Sequence, residues 1–340
     1  AFSEEISNQP TITEFTKVDL TGGQEIEGAK MQILDQDGKV VEEWVSKKEP
    51  HVVYALEQGE YVLHEEQAPT EQGYVRAEDV KFVVEETGDV QKVKMEDDHT
   101  KVSISKTDIT DGKEIEGAKL QILDQDGEVV ESWTTGEEHL IEYLPVGTYT
   151  LHEEAAVDGY IVANDVEFTV EETGEIQKVK MEDERAMGQL VIVKTDTDSK
   201  AALEGVEFVL LEKETGKEVG RLKTGKDGKA VSELLPIGTY ENGVFKEPIT
   251  YVLKETATLK GYEKTEEEWE IVFTYQNDKT PVIEVVKEIQ NKKIPETPGT
   301  VKPGPKTGDD TNWFLPLLAL GVSAGMVAGL LYYRKRHKKA

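Results

Sequence analysis

Apolar and polar positions alternate with a period of two through most of this chain, in short segments bounded by glycine, proline and aspartate. VSISK at 102–106 places Val102, Ile104 and Lys106 on one face, and YTLHEE at 149–154 does the same with Tyr149, Leu151 and Glu153. Segments of this kind are strands with one face buried and the other in water. The Asp-Gly, Thr-Gly and Pro-x-Gly steps between them predict tight turns. An all-β fold follows, with immunoglobulin-like sandwiches as its natural form.

The pattern also recurs at long range. EIEGAKMQILDQDG at 25–38 returns as EIEGAKLQILDQDG at 114–127, an offset of 89 that also carries Lys17 onto Lys106 and Trp44 onto Trp133. A third copy opens at LVIVKTDTDSKAALEGVEFVLLE, where Lys194 and Gly205 lie 88 beyond Lys106 and Gly117. Tandem domains are expected at 12–98, 101–184 and 188–293, with protease-sensitive links near 99–100 and 185–188. Asp35, Asp37 and Gly38 suggest calcium at first sight. A hairpin turn explains them better, because the flanking helices and further ligands of a calcium loop are missing.

After the third copy the pattern stops. Residues 294–303 are a Pro/Gly-rich spacer, semi-rigid and without a core. An uncharged run from Trp313 to Tyr333 is then long enough to cross a bilayer as one transmembrane helix. RKRHKK follows it at once, which places the tail in the cytoplasm and the repeats outside. Sixty-nine acidic against 39 basic residues give a net charge of −30, so nucleic acid is excluded as a partner. There are no cysteines, so exported domains this small need another staple.

Charge then appears where alternation puts the core. Lys17 follows Phe15 on its face, Lys106 follows Val102 and Ile104, and Lys194 follows Leu190 and Ile192. Glu65, Glu153 and Glu255 share a face with the apolar residues of YVLHEE, YTLHEE and YVLKET. Asp97, Asp183 and Asn291 end last strands whose inward positions include Met95, Met181 and Ile289. A buried, hydrogen-bonded ion cluster is one reading. The other is chemistry: an apolar setting favours a neutral lysine, which is a nucleophile, and a neutral carboxylic acid able to polarise a carbonyl and shuttle protons. The product is a Lys–Asp or Lys–Asn isopeptide bond, and the threefold recurrence favours this second reading.

FTKVDLTGGQEIEGA, YVLHEEQAPTEQGY and VKMED together resemble the collagen-adhesin B-type, prealbumin-like repeats of Gram-positive surface proteins and pilins. That resemblance implies spontaneous isopeptide formation, with Lys17, Lys106 and Lys194 as reactive amines, Glu65, Glu153 and Glu255 as catalysts, and Asp97, Asp183 and Asn291 as acceptors. It makes residues 1–11 the tail of a preceding repeat, with Asn8 in the acceptor position. GPKTGDD before the apolar run resembles a sortase sorting signal over 304–340. Pro305, Lys306, Thr307 and Gly308 fill the motif, and Gly304 stands where leucine is usual. The implied partners are sortase and a peptidoglycan or pilin amine, with any host ligand bound by a region upstream.

The function expected is a cell-wall-anchored extracellular stalk or minor pilin, not an enzyme, with no cofactor and no metal. Adhesion by the repeats themselves is the alternative, and it would call for an exposed aromatic or basic patch. Glu65 and Glu66 cannot act as a glycosidase pair, because adjacent strand residues face opposite ways. His64 and His152 alternate outward and read as surface residues.

Overall fold

The structure is a computed structural model that describes residues 10–295. The proposed membrane span, the sorting motif at 305–308, most of the spacer and Asn8 lie outside the described residues. Within them no helix is long and apolar enough to cross a membrane. Among the described residues the fold is all-β, and the one helical feature there is a 3-10 turn at Thr70–Gln72.

Repeat 1 contains seven strands: β1 (Ile12–Asp19), β2 (Lys30–Leu34), β3 (Val40–Val45), β4 (His51–Tyr54), β5 (Gly59–Gln67), β6 (Val80–Val84) and β7 (Val90–Asp97). They form two sheets, ordered β4-β1-β7 and β3-β2-β5-β6. Phe15, Met31, Ile33, Leu63 and Met95 fill the space between the sheets, each at 2% exposure or less. Every pairing is antiparallel except β1 with β7, which run parallel with Lys17 opposite Met95 and Asp19 opposite Asp97. Repeat 2 has the same plan, its first strand Lys101–Asp108 parallel to its last, Ile176–Arg185. In repeat 3, Met187–Asp196 pairs in parallel with Val282–Asn291. The stretch ENGVFKEP that interrupts the third copy is part of a β-hairpin, Gly238–Glu241 with Val244–Pro248. Asn242 and Gly243 turn it with φ of 51° and 71°, the left-handed pair that a two-residue hairpin loop requires.

The Asp35 turn uses its carboxylate internally, since Oδ1 accepts the backbone N–H groups of Asp37 and Lys39 and Gly38 takes φ 76°.

The expected link at 99–100 is not an exposed connector. His99 and Thr100 are buried, and the Thr100 hydroxyl donates to the Leu144 carbonyl at 2.6 Å. Repeats 1 and 2 belong to one compact unit, and the wedge between them is Tyr143. Its ring stacks on His99 at 3.9 Å, and its hydroxyl donates to Asp19 Oδ2 at 2.8 Å, two residues beyond Lys17. Its backbone passes so close to Gly73 that a Cβ there would lie 2.3 Å from it, which only glycine tolerates. Burial works to raise the Asp19 pKa, but hydrogen bonds from Gly22, Tyr143 and Thr21 outweigh it and hold the carboxyl below its ordinary value. Nor is there a loop at 185–188: the last strand of repeat 2 ends at Arg185 and the first strand of repeat 3 begins at Met187.

Residues 98–101 should therefore resist proteolysis in the native chain. Tyr143→Ala removes a hydrogen bond to a charged group, about 1.5 to 3 kcal/mol, so cleavage there should accelerate at least tenfold. Equal cleavage rates in the two chains would show that Tyr143 does not hold the joint.

Candidate functional site

The alternation that ends β1 on Lys17 and β7 on Asp97 brings the two side chains together because the strands are parallel neighbours. Lys17 and Asp97 point inward on a diagonal of one sheet. Glu65 reaches the same point from β5 in the opposite sheet. A one-residue bulge follows Glu65, where β5 spends Glu65 and Gln67 against the consecutive pair Met31 and Lys30. The same bulge follows Glu153 and Glu255. Bulges re-aim side chains and end regular pairing, and here each one sits directly after the inward glutamate.

All nine residues are at most 4% exposed. In repeat 1 the Lys17 ammonium lies 2.9 Å from Glu65 Oε2 and is bonded to Asp97 Oδ1. Ala77 N–H donates to the same Glu65 oxygen at 2.8 Å. Repeat 2 reproduces this: Lys106 to Glu153 Oε2 at 2.9 Å and to Asp183 Oδ1, with Ala163 N–H on Glu153 Oε2 at 2.6 Å. In repeat 3 Lys194 Nζ meets Asn291 Oδ1 at 2.5 Å and Glu255 Oε2 at 3.1 Å, and Asn291 Nδ2 donates to Glu255 Oε1 at 2.7 Å. The structure thus assembles each predicted trio.

Repeat 3 explains what the other two leave open. Glu65 Oε1 and Asp97 Oδ2 are buried without hydrogen-bond partners, as are Glu153 Oε1 and Asp183 Oδ2. These are the atoms that correspond to Glu255 Oε1 and Asn291 Nδ2. Where the amide places N–H, the aspartates need O–H, so one proton belongs between each pair of carboxyls. The electrostatics agree. Burial, opposed by Lys17 and reinforced by the facing Glu65, pushes the Asp97 carboxyl up to about 7. Burial with Glu153 likewise pushes Asp183 up to about 8 against the pull of Lys106. In repeat 3 burial lowers the Lys194 pKa against the pull of Glu255. Each shift favours an uncharged partner, and a neutral amine beside a neutral carboxyl or amide is the pair that can condense.

Residues 11–99, 100–185 and 188–248 match the SpaA family model, described as a prealbumin-like fold domain. The chain belongs to that family. The third SpaA match stops before Glu255 and Asn291, yet repeat 3 completes the trio. Among solved structures, the Bacillus anthracis TIE protein is 28% identical with a TM-score of 0.56 over 84% of this chain. The chain spans about half, 51%, of that protein. BcpA, the major pilin subunit of Bacillus cereus, aligns over 84% of this chain and 100% of its own at 16% identity and a TM-score of 0.47. A search of curated proteins finds no significant relative.

Some contributors carried no sequence signal that alternation could read. The Ala77 and Ala163 amides act through their backbone alone. Glu25 and Glu114, in the repeated EIEGA, accept the backbone N–H of Lys17 and Lys106 at 3.0 and 3.1 Å, and their spacing of eight from the lysine was the available clue. His64 and His152 are partly exposed and pair with Asp79 and Asp165, both at 2.7 Å.

The carboxyl shifts set a pH dependence. A raised pKa keeps Asp97 a neutral acid below about 7 and makes it a poorly electrophilic carboxylate above, with the corresponding point for Asp183 at about 8. If the trios condense as their chemistry allows, closure in chain held in denaturant since synthesis and then diluted to fold should change its pH dependence at about 7 in repeat 1 and at about 8 in repeat 2, because rising pH removes the acid form of the acceptor while it frees the amine. Repeat 3 should show no such break, because its acceptor is an amide. Mass-spectrometric time courses of the linked peptides read all three at once, and a common pH profile would contradict the assignment.

Proposed function

We propose that the chain is an extracellular stalk segment of a Gram-positive surface protein or minor pilin, whose repeats lock themselves by intramolecular isopeptide bonds. The observation that carries this reading is the threefold burial of lysine, glutamate and acceptor between first and last strands. Lys17 joins Asp97, Lys106 joins Asp183 and Lys194 joins Asn291, with Glu65, Glu153 and Glu255 moving the proton from amine to leaving group. Each domain acts once, on itself, so the protein is not an enzyme with turnover.

The bonds span 80, 77 and 97 residues. By analogy with disulfides, closing loops of that size stabilises each domain by about 4 to 5 kcal/mol. The mechanical consequence is larger. Tension enters a repeat at the start of its first strand and leaves at the end of its last, so a bond between them carries the load past everything in between. Anchoring fits the same role: sortase cleaves between Thr307 and Gly308 and passes Thr307 to a peptidoglycan or pilin amine.

Mass spectrometry reads both proposals. Protein released from the wall by a peptidoglycan hydrolase should end at Thr307, joined to a wall or pilin fragment, and its repeats should be lighter than their sequence by two waters and one ammonia. Glu153→Ala should restore one water. A full sequence mass in folded protein would leave only buried ion pairs, and a detergent-extracted protein retaining its basic tail would refute sortase anchoring.

A further inference from the structure

The three repeats differ in their acceptor, and one further residue differs with it. In repeat 3 the Asn291 amide makes three contacts: Oδ1 with Lys194, and Nδ2 with Glu255 Oε1 and Thr258 Oγ1, both at 2.7 Å. Thr258 stands three residues after the glutamate. The same position after Glu153 is Ala156 and after Glu65 is Ala68, in the two repeats whose acceptor is aspartate.

Hydrogen-bond arithmetic accounts for the pairing. A protonated aspartate brings one O–H, which the facing glutamate accepts. An asparagine brings two N–H groups, and Glu255 takes only one. The second would be buried without a partner, which is unfavourable. An alanine methyl cannot accept it, whereas a threonine hydroxyl can.

We propose that Thr258 belongs to the reaction centre of repeat 3 and adapts it to an amide acceptor by holding the departing nitrogen of Asn291. This rests on the isopeptide reading above. Lysine and asparagine condense as Lys–NH2 + Asn–CONH2 → Lys–NH–CO–Asn + NH3. The Lys194 nitrogen bonds to Cγ, the Cγ–Nδ2 bond breaks, and a proton from lysine reaches Nδ2 through Glu255. As Cγ becomes tetrahedral, Nδ2 loses its conjugation and turns basic. Thr258 keeps accepting a hydrogen bond from Nδ2 while rotation about Cγ–Nδ2, free once conjugation is lost, turns the new lone pair toward Glu255, from which the proton comes. Thr258 is therefore specific to ammonia as leaving group, and the repeats that release water do without it.

The test follows closure of the full chain after dilution from denaturant, with the linked peptides of repeats 1 and 2 in the same molecule as internal clocks. Thr258→Val keeps the side-chain shape and removes the acceptor, and it should slow closure of repeat 3 about tenfold while the other two repeats keep their rates. Thr258→Ser should close at close to the native rate. Thr258→Val with Asn291→Asp should recover and release water in place of ammonia. In repeat 2, Asp183→Asn should close slowly, and adding Ala156→Thr should accelerate it. Native-rate closure in Thr258→Val, or a double variant as slow as the single, overturns the proposal. A native repeat 3 that never closes overturns the isopeptide reading there, and the Thr258 proposal with it.

Discussion

Each repeat buries an amine, a carboxyl and an acceptor at the end of an apolar stripe, and that burial governs the rest of the structure. Three ionisable groups out of water in repeats 1 and 2, and two in repeat 3, cost far more than one contact returns unless protons are rearranged to neutralise them. The parallel pairing of β1 and β7 sets the lysine beside its acceptor. The bulge after Glu65 ends the strand once the third group is in place. Met31, Leu63 and Met95, each at 1% exposure, keep water away, and this same exclusion lifts Asp97 toward neutrality.

The topology makes one position both chemically and mechanically central. In a parallel pair that begins and ends a domain, tension enters at the start of the first strand and leaves at the end of the last, so a bond from the far end of the first strand to the end of the last lies directly in its path. A covalent link there shields the segments from 18 to 96, from 107 to 182 and from 195 to 290. Under the proposed function this would answer the absence of cysteine: the toughness an exported domain takes from disulfides would come from residues that need no oxidant. The Tyr143 wedge extends the rigidity to the joint between repeats 1 and 2, because it locks onto Asp19, two residues past the reactive lysine.

Much of this was legible in the sequence, for a physical reason. Strand alternation assigns each side chain to a face from local order alone, so Lys106, Glu153 and Asp183 could be placed inward without knowing which strands pair. What alternation cannot carry is anything set by the backbone or by contacts across domains. The amides of Ala77 and Ala163 have no side-chain signature. Tyr143 reads as one more residue before LPVG, and only the close approach at Gly73 reveals its wedge. The links at 99–100 and 185–188 were expected to be open because repeats were counted as separate beads, whereas His99 and Thr100 are core residues of a joint. Thr258 was visible as a letter, but its meaning depended on seeing that an amide has one more hydrogen to place than an acid.

Whether these clusters are covalent links or ion pairs is decided at three lysine nitrogens. The direct measurement is heteronuclear NMR of the folded chain labelled with nitrogen-15 at the lysine side chains. The account predicts three side-chain nitrogens with amide shifts, each bearing one hydrogen and correlating with the side-chain carbonyl of Asp97, Asp183 or Asn291. Lysine resonances that are all amine or ammonium, with no such correlation, would contradict it.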